Sequence, residues 1–101
     1  MGRRAAISRE YIAMRSAVDR GIPAPIVDVL CTQLGVEESA LTLDALLGQD
    51  LGADDLDVCE IQLELERIYK VSAEDEWLDD EGRGLTVGQI IRDLKKLGAQ
   101  L

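Results

Sequence analysis

Three short stretches of this chain repeat apolar residues at intervals of three and four, and no stretch alternates apolar and polar residues as a strand would. Helices of this length are marginal alone, so the chain can only fold by burying their stripes against one another. The first stretch runs from about Pro25 to Leu34. Pro25 suits a first helical turn, Ile26, Val27, Val29 and Leu30 form a broad stripe, and Gly35 ends it. The second starts at Asp54 or Asp55 and ends near Tyr69, with Ile61, Leu65, Ile68 and Tyr69 facing inward. The third opens on Thr86-Val87-Gly88-Gln89, a capping-box pattern, and runs to about Leu97 with Gly98 behind it. Its inward residues are Val87, Ile90, Ile91, Leu94 and Leu97.

Two connections separate these helices. Residues 35–54 carry Val36, Leu41, Leu43, Leu46, Leu47 and Leu51, so this connection is expected to be pinned down by apolar anchors. Residues 70–85 are strongly acidic, with a short helix predicted over Ala73 to Leu78 and Trp77 as a packing residue. Ahead of the first main helix, Ser8 is a suitable N-cap, and Ile7, Tyr11, Met14 and Val18 recur at near-helical spacing before Gly21-Ile22-Pro23-Ala24-Pro25 breaks the pattern. The expected organisation is a basic N-terminal extension over 1–24, with the pattern for one added helix, and a helical domain over 25–101. With no Phe and only Tyr11, Tyr69 and Trp77 as aromatics, Leu, Ile and Val must fill the core.

Charge narrows the function. The net charge is −9 and is unevenly spread. Residues 1–20 hold five arginines against two acids, and the remainder holds 18 acids against six bases, a net of −12. Such a body repels nucleic acid and anionic membrane and attracts basic protein surfaces. The chain has no His, so the usual general base and the commonest metal ligand are both missing. No Ser–His or Cys–His pair can be built, and a non-enzyme is expected. Acidic runs at 50–60 and 75–81 lack the alternating ligands and central Gly of a calcium loop, and no metal site is expected. Cys31 and Cys59 have no metal-ligand spacing and read as reduced thiols. Met1-Gly2-Arg3-Arg4 is not followed by an apolar stretch, and no run reaches transmembrane length. The expectation is a soluble, cytoplasmic protein without membrane insertion.

At the start of the second helix the sequence reads Asp50-Leu51-Gly52-Ala53-Asp54-Asp55-Leu56-Asp57, followed by Glu60-Ile61. This resembles the Asp-Leu-Gly-Ala-Asp-Ser-Leu-Asp signature of acyl carrier proteins, with seven of its eight positions matched. Upstream, Gln33-Leu34-Gly35-Val36 resembles the end of the family's first helix, at the expected spacing from Asp50. Downstream, Leu65-Glu66 and Tyr69 resemble the end of its second helix and Leu85-Thr86-Val87 the start of its last. The resemblance covers about residues 25–98. It implies an all-α, acyl-carrier-like bundle of three main helices and one short one. It also implies a serine at the start of the second helix that holds a phosphopantetheine arm, whose thiol carries acyl groups. A helix N-terminus suits the phosphate of such an arm.

Four departures stand against that pattern. Asp55 occupies the serine's place, and a carboxylate cannot form the phosphodiester. Neither Ser39 nor Ser72 matches the position, so no cofactor is expected on the chain as written; phosphopantetheine would be expected if Asp55 were Ser. Arg67 stands where the family often has an acid, the second connection is a few residues longer, and residues 1–24 have no counterpart in a minimal carrier.

Several readings of these residues stay open. Asp55 is a serine lost by drift and tolerated at a helix start, a charge standing in for the arm's phosphate, or an engineered block. Each exposed Asp in the first turn is worth roughly 0.3–1 kcal/mol through the helix dipole, without any chemistry. Cys59 lies one turn beyond Asp55 and is read as a small filler or partner contact. Asp54, Asp57, Glu60, Glu64 and Glu66 form an acidic ridge, with Leu56 and Leu63 beside it. A solvated face is the bland alternative, but the resemblance favours docking on basic surfaces of acyl-metabolism enzymes by a monomer.

The leading expectation is a non-catalytic, carrier-like partner-binding protein of acyl, lipid or polyketide-type metabolism. The alternatives are an ordinary acyl carrier of fatty-acid or polyketide-type synthesis with an engineered Asp55, and an acidic structural subunit whose basic N-terminal segment is the functional part.

Overall fold

The computed structural model describes residues 17–18, 20–72 and 84–101. It is all-helical: α1 spans Ala24–Leu34, a 3-10 turn Glu38–Ala40, α2 Asp55–Tyr69 and α3 Val87–Lys96. These match the three predicted main helices to within a residue. The predicted short helix over Ala73 to Leu78, with Trp77, lies outside the described residues. So does the N-terminal helix, apart from Ala17 and Val18, which are helical.

Local chemistry sets each boundary. At the start of α1, Pro25 occupies the first turn, where its missing N–H costs nothing, while Ile26 and Val27 donate to the Pro23 carbonyl. Gly35 ends α1 in the left-handed region, at φ 66°, and its N–H reaches the Cys31 carbonyl. Helix α3 starts on Thr86, whose hydroxyl accepts from the Gln89 N–H at 3.1 Å. The predicted Thr-x-x-Gln box closes on that side only. The Gln89 side chain turns along the helix instead, donating to Asp93 and accepting from Arg92. Lys95 and Lys96 fill the last turn of α3, where the helix dipole favours cations.

Helix α1 packs against α2, burying Ile26, Val29 and Leu30 of one and Val58, Ile61 and Leu65 of the other. Helix α3 is held differently, by the connection that precedes α2. Leu47 donates to the Leu85 carbonyl, Val87 to Ala45 and Gly88 to Leu43, and Leu46 and Thr86 form an isolated antiparallel bridge. Gly88 sits tightly at that seam: a Cβ there would lie 3.0 Å from the Leu43 carbonyl oxygen.

Of the anchors expected in the connection, Leu41, Leu47 and Leu51 are buried, Val36 and Leu46 are half-buried, and Leu43 is 43% exposed. Ala45, not foreseen, is buried as well. The buried core among the described residues contains only Ala, Val, Leu and Ile, as the lack of Phe requires. Ile68, Tyr69 and Leu97, expected inside, are half-buried at its edge. Ala17 and Ile22 are fully buried in this core, and the Arg20 guanidinium donates to the Leu41 carbonyl at 3.1 Å. The last residues before α1 are therefore fixed to the domain.

Candidate functional site

The loop before α2 is a built structure. The Asp50 carboxylate accepts from the Leu46 N–H at 2.8 Å, and Asp50 and Leu51 donate back to the Leu46 carbonyl. Leu51 is buried, Gly52 takes φ 76°, and Ala53 donates to Leu47 at 2.8 Å. The chain is thereby delivered to Asp54 in an extended conformation, at φ −104° and ψ −177°. There a reciprocal capping box forms: Asp57 N–H donates to the Asp54 carboxylate at 2.8 Å, and Asp54 N–H donates to the Asp57 carboxylate at 3.1 Å. Asp55 is the first residue of the helix. It is exposed, and no hydrogen bond or ion pair holds its carboxylate among the described residues.

Along α2 the 3.6-residue period sorts the remaining candidates. Leu56 and Leu63, seven residues apart, point directly away from the core and are 66% and 59% exposed. Asp57, Glu60 and Glu64 flank them on the side toward α1. Asp55, Cys59 and Glu66 flank them on the other, with Cys59 exposed and the Glu66 carboxylate accepting from Gln62 at 3.3 Å. Of the acids that the sequence suggested as one ridge, Asp57, Glu60 and Glu64 lie along one side of the apolar line and Glu66 lies on the other.

Two residues outside the expected set shape the α1-side flank. Gln33, at the end of α1, donates to Asp57 at 3.1 Å and to the Glu60 carboxylate, crossing between the helices. This hydrogen bond, followed by the one from the Asp54 N–H, pulls the Asp57 pKa below the usual carboxylate value. Arg67 forks onto Glu64 with two contacts of 2.8 Å. The pairing lowers the Glu64 pKa, raises that of Arg67 and locally neutralises one acid of the flank. Gln33 was visible only as part of the family-like Gln-Leu-Gly-Val, and its side-chain target needed the tertiary structure. Asp50 had a signal in the motif, but its bond to Leu46 did not.

Between α1 and α2 lies a groove of about 490 Å³, with Val29, Leu63 and Ile68 as apolar lining and Asp28, Glu60 and Glu64 as acids. The two thiols differ. Cys59 is exposed, whereas Cys31 is half-buried and its pKa is raised by burial and by the nearby Glu38 and Asp28.

Residues 24–93 match the family model described as a phosphopantetheine attachment site. The acyl carrier protein of Amoebophilus asiaticus (strain 5a2) is 38% identical over 71 residues, spanning 70% of this chain and 85% of the relative. This chain belongs to the acyl carrier protein family. The acyl carrier protein of Syntrophobacter fumaroxidans (strain DSM 10017 / MPOB) is 45% identical over 51 residues, spanning 50% of this chain and 63% of the relative. Acyl carrier proteins are non-catalytic carriers, and the reading of this chain as a non-enzyme agrees with its family. Among the described residues, no helix is long and apolar enough to cross a membrane.

The residues present do not fit the family's prosthetic group. The start of α2 is capped, but its first residue offers a carboxylate and no hydroxyl. Ser72 lies beyond the opposite end of α2, whose 15 residues span about 22 Å at the helical rise of 1.5 Å per residue. Ser39 belongs to the separate 3-10 turn.

Proposed function

We propose that this protein is an acyl carrier protein-like module that does not carry, and that binds enzymes of acyl, lipid or polyketide-type metabolism through the outer face of α2. The observation behind the first half is Asp55 itself, an unengaged carboxylate at the helix start on an otherwise complete loop and cap. A carboxylate there is stabilised by the helix dipole without a partner. The second half is supported by Leu56 and Leu63, which remain exposed although their helix has an inward face for apolar residues. Their acidic flanks match a basic partner surface. The partner-contacting residues on this reading are Asp54, Leu56, Asp57, Cys59, Glu60, Leu63, Glu64 and Glu66. Asp54 and Asp57 also cap the helix, so their carboxylates are fixed before any partner arrives.

The test is intact mass after incubation with coenzyme A and a promiscuous phosphopantetheinyl transferase, run beside Asp55→Ser. The native chain should gain no mass and the variant should gain one arm. Loading of the native chain would overturn the proposal. The retained loop and cap also favour a second reading, an ordinary carrier with an engineered residue 55. A serine codon at that position in the source locus would establish it.

A further inference from the structure

Positive charge is scarce in this domain, and it is concentrated. Of the six basic residues among the described residues, Arg20 is turned onto the Leu41 carbonyl, Arg67 onto Glu64, and Lys70 closes α2. The other three, Arg92, Lys95 and Lys96, stand exposed on α3. Arg92 and Lys95 line a groove of about 560 Å³ between α3 and the connection that precedes α2. Its apolar wall is Leu43, 43% exposed, together with Ile91. The cation and the apolar wall meet at Gly88, where a Cβ would lie 3.6 Å from the Arg92 guanidinium and 3.7 Å from the Leu43 side chain. Asp44, the acid among the lining residues, already accepts from the Thr42 hydroxyl at 2.9 Å. The groove therefore favours an apolar side chain accompanied by carboxylates.

The same chain presents that pattern elsewhere. At the start of α2, Leu56 is 66% exposed, and Asp54, Asp55, Asp57 and Glu60 stand around it with no base before Arg67. Asp54 and Asp57 are tied together by the cap and Glu60 accepts from Gln33, whereas no hydrogen bond or ion pair holds the Asp55 carboxylate among the described residues. The far half of the helix differs, since Arg67 forks onto Glu64 beside Leu63. The start of α2 and the α3 groove share no residue, so one copy can offer the first and receive into the second. Net charge does not forbid the meeting. At about 0.15 M salt the Debye length is near 8 Å, which largely screens the net charges of two copies while leaving groups in contact little affected.

We propose that the α3 groove is the docking site for the start of α2 of a second copy of this chain. Leu56 of one copy seats between Leu43 and Ile91 of the other, and Asp55 and Glu60 face Arg92 and Lys95. A second copy is favoured over an unrelated acidic segment because the chain carries both halves of the contact, apolar centre and charged border alike. Repeated reciprocally the contact closes a two-fold pair, and repeated head to tail it extends a row. A contact this small is weak and reversible, so the monomer expected from the sequence is the dilute form. The inference goes beyond the carrier-like reading and stands without it, since neither loading at residue 55 nor an enzyme partner enters.

The experiment is an NMR dilution series on the full chain, from about 1 mM to about 10 μM, the range over which a weak contact empties, with sedimentation at both ends. On dilution the amides of Leu43, Gly88 and Arg92 should shift together with those of Asp55, Leu56 and Glu60. Leu30 and Leu65 should stay in place, and the sedimenting mass should fall to that of one chain. No shift, or a shift in only one of the two sets, overturns the proposal. Arg92→Glu with Lys95→Glu should weaken the association at least about tenfold, and so should Asp55→Lys with Glu60→Lys. A variant that associates like the native chain overturns the proposal. The two double variants mixed in equal amounts should associate again, because one then offers a basic α2 start to the other's acidic groove; a mixture that stays monomeric overturns the pairing. Displaced Leu30 and Leu65 amides would reveal a variant that has not folded. In that case Leu56→Ala, an exposed truncation, tests the same contact: it should weaken the association, and unchanged association overturns the proposal.

Discussion

The seam between the 43–53 connection and α3 and the outer face of α2 are both rich in leucine, and they use it in opposite ways. At the seam, Leu47 and Leu51 are buried, while the backbone around them crosses to residues 85–88 through three hydrogen bonds. On α2, Leu56 and Leu63 are majority-exposed and have acids on both sides. The first arrangement fixes where α2 begins. The second adds little to the core, which the same helix enters through Val58, Ile61 and Leu65 on its other face. On α2 itself the buried Leu65 and the exposed Leu63 are about half a turn apart, so stability and recognition can change independently here.

The strongest way to break that comparison is to truncate one leucine from each set. Leu47→Ala should lower unfolding free energy by about 2–5 kcal/mol, through lost burial plus the cavity left behind. Leu63→Ala should change it by no more than about 0.5 kcal/mol, as surface substitutions do. Denaturant titration of both variants gives the answer. Equal losses would mean that Leu63 is packed in solution and the outer face is not free.

The seam can be probed more finely at Gly88. Alanine in a helix is ordinarily better than glycine by about 1 kcal/mol. Here its Cβ would sit 3.0 Å from the Leu43 carbonyl oxygen, and that oxygen is held in place by accepting the Gly88 N–H at 2.8 Å. Any retreat of the Leu43 backbone to make room lengthens that bond and pulls on the seam. Gly88→Ala should therefore destabilise, by about 1–3 kcal/mol as overpacking does, and thermal melts should show it. A gain in stability would show that the connection can slide along α3.

The helices were legible in the sequence because periodicity and terminal chemistry are local. Pro25, Gly35, Asp54 and Thr86 mark boundaries with their own side chains or backbone preferences. The seam was legible only as anchors, since which carbonyl Gly88 approaches depends on residues some 45 positions away. The same limit hid the partners of the site residues. Asp57 read as a first-turn charge, but it closes a reciprocal box with Asp54, while the textually better Thr86–Gln89 box closes on one side only. A two-carbon carboxylate at Asp57 reaches the cap N–H, whereas the longer Gln89 chain finds Asp93 and Arg92 along the helix. Asp55 stood out at once because its neighbours match the family and it does not.

The smallest effect, and the one that best separates the outer face's geometry from its charge, comes from Gln33. Its amide depresses the Asp57 pKa by holding the carboxylate in its ionised form. A depressed carboxylate contributes stability that is present above its unfolded pKa, near 3.9 for Asp, and that is lost as pH falls through the lower folded value. Gln33→Leu removes the amide and with it the largest cause of the lowered pKa, leaving the contacts with Asp54. Native and variant chains should therefore differ most at neutral pH and converge as acid protonates Asp57. Denaturant titrations at neutral pH and through the acid range check this directly. A difference unchanged across that range would mean that Gln33 acts by packing between α1 and α2, with no electrostatic hold on the flank.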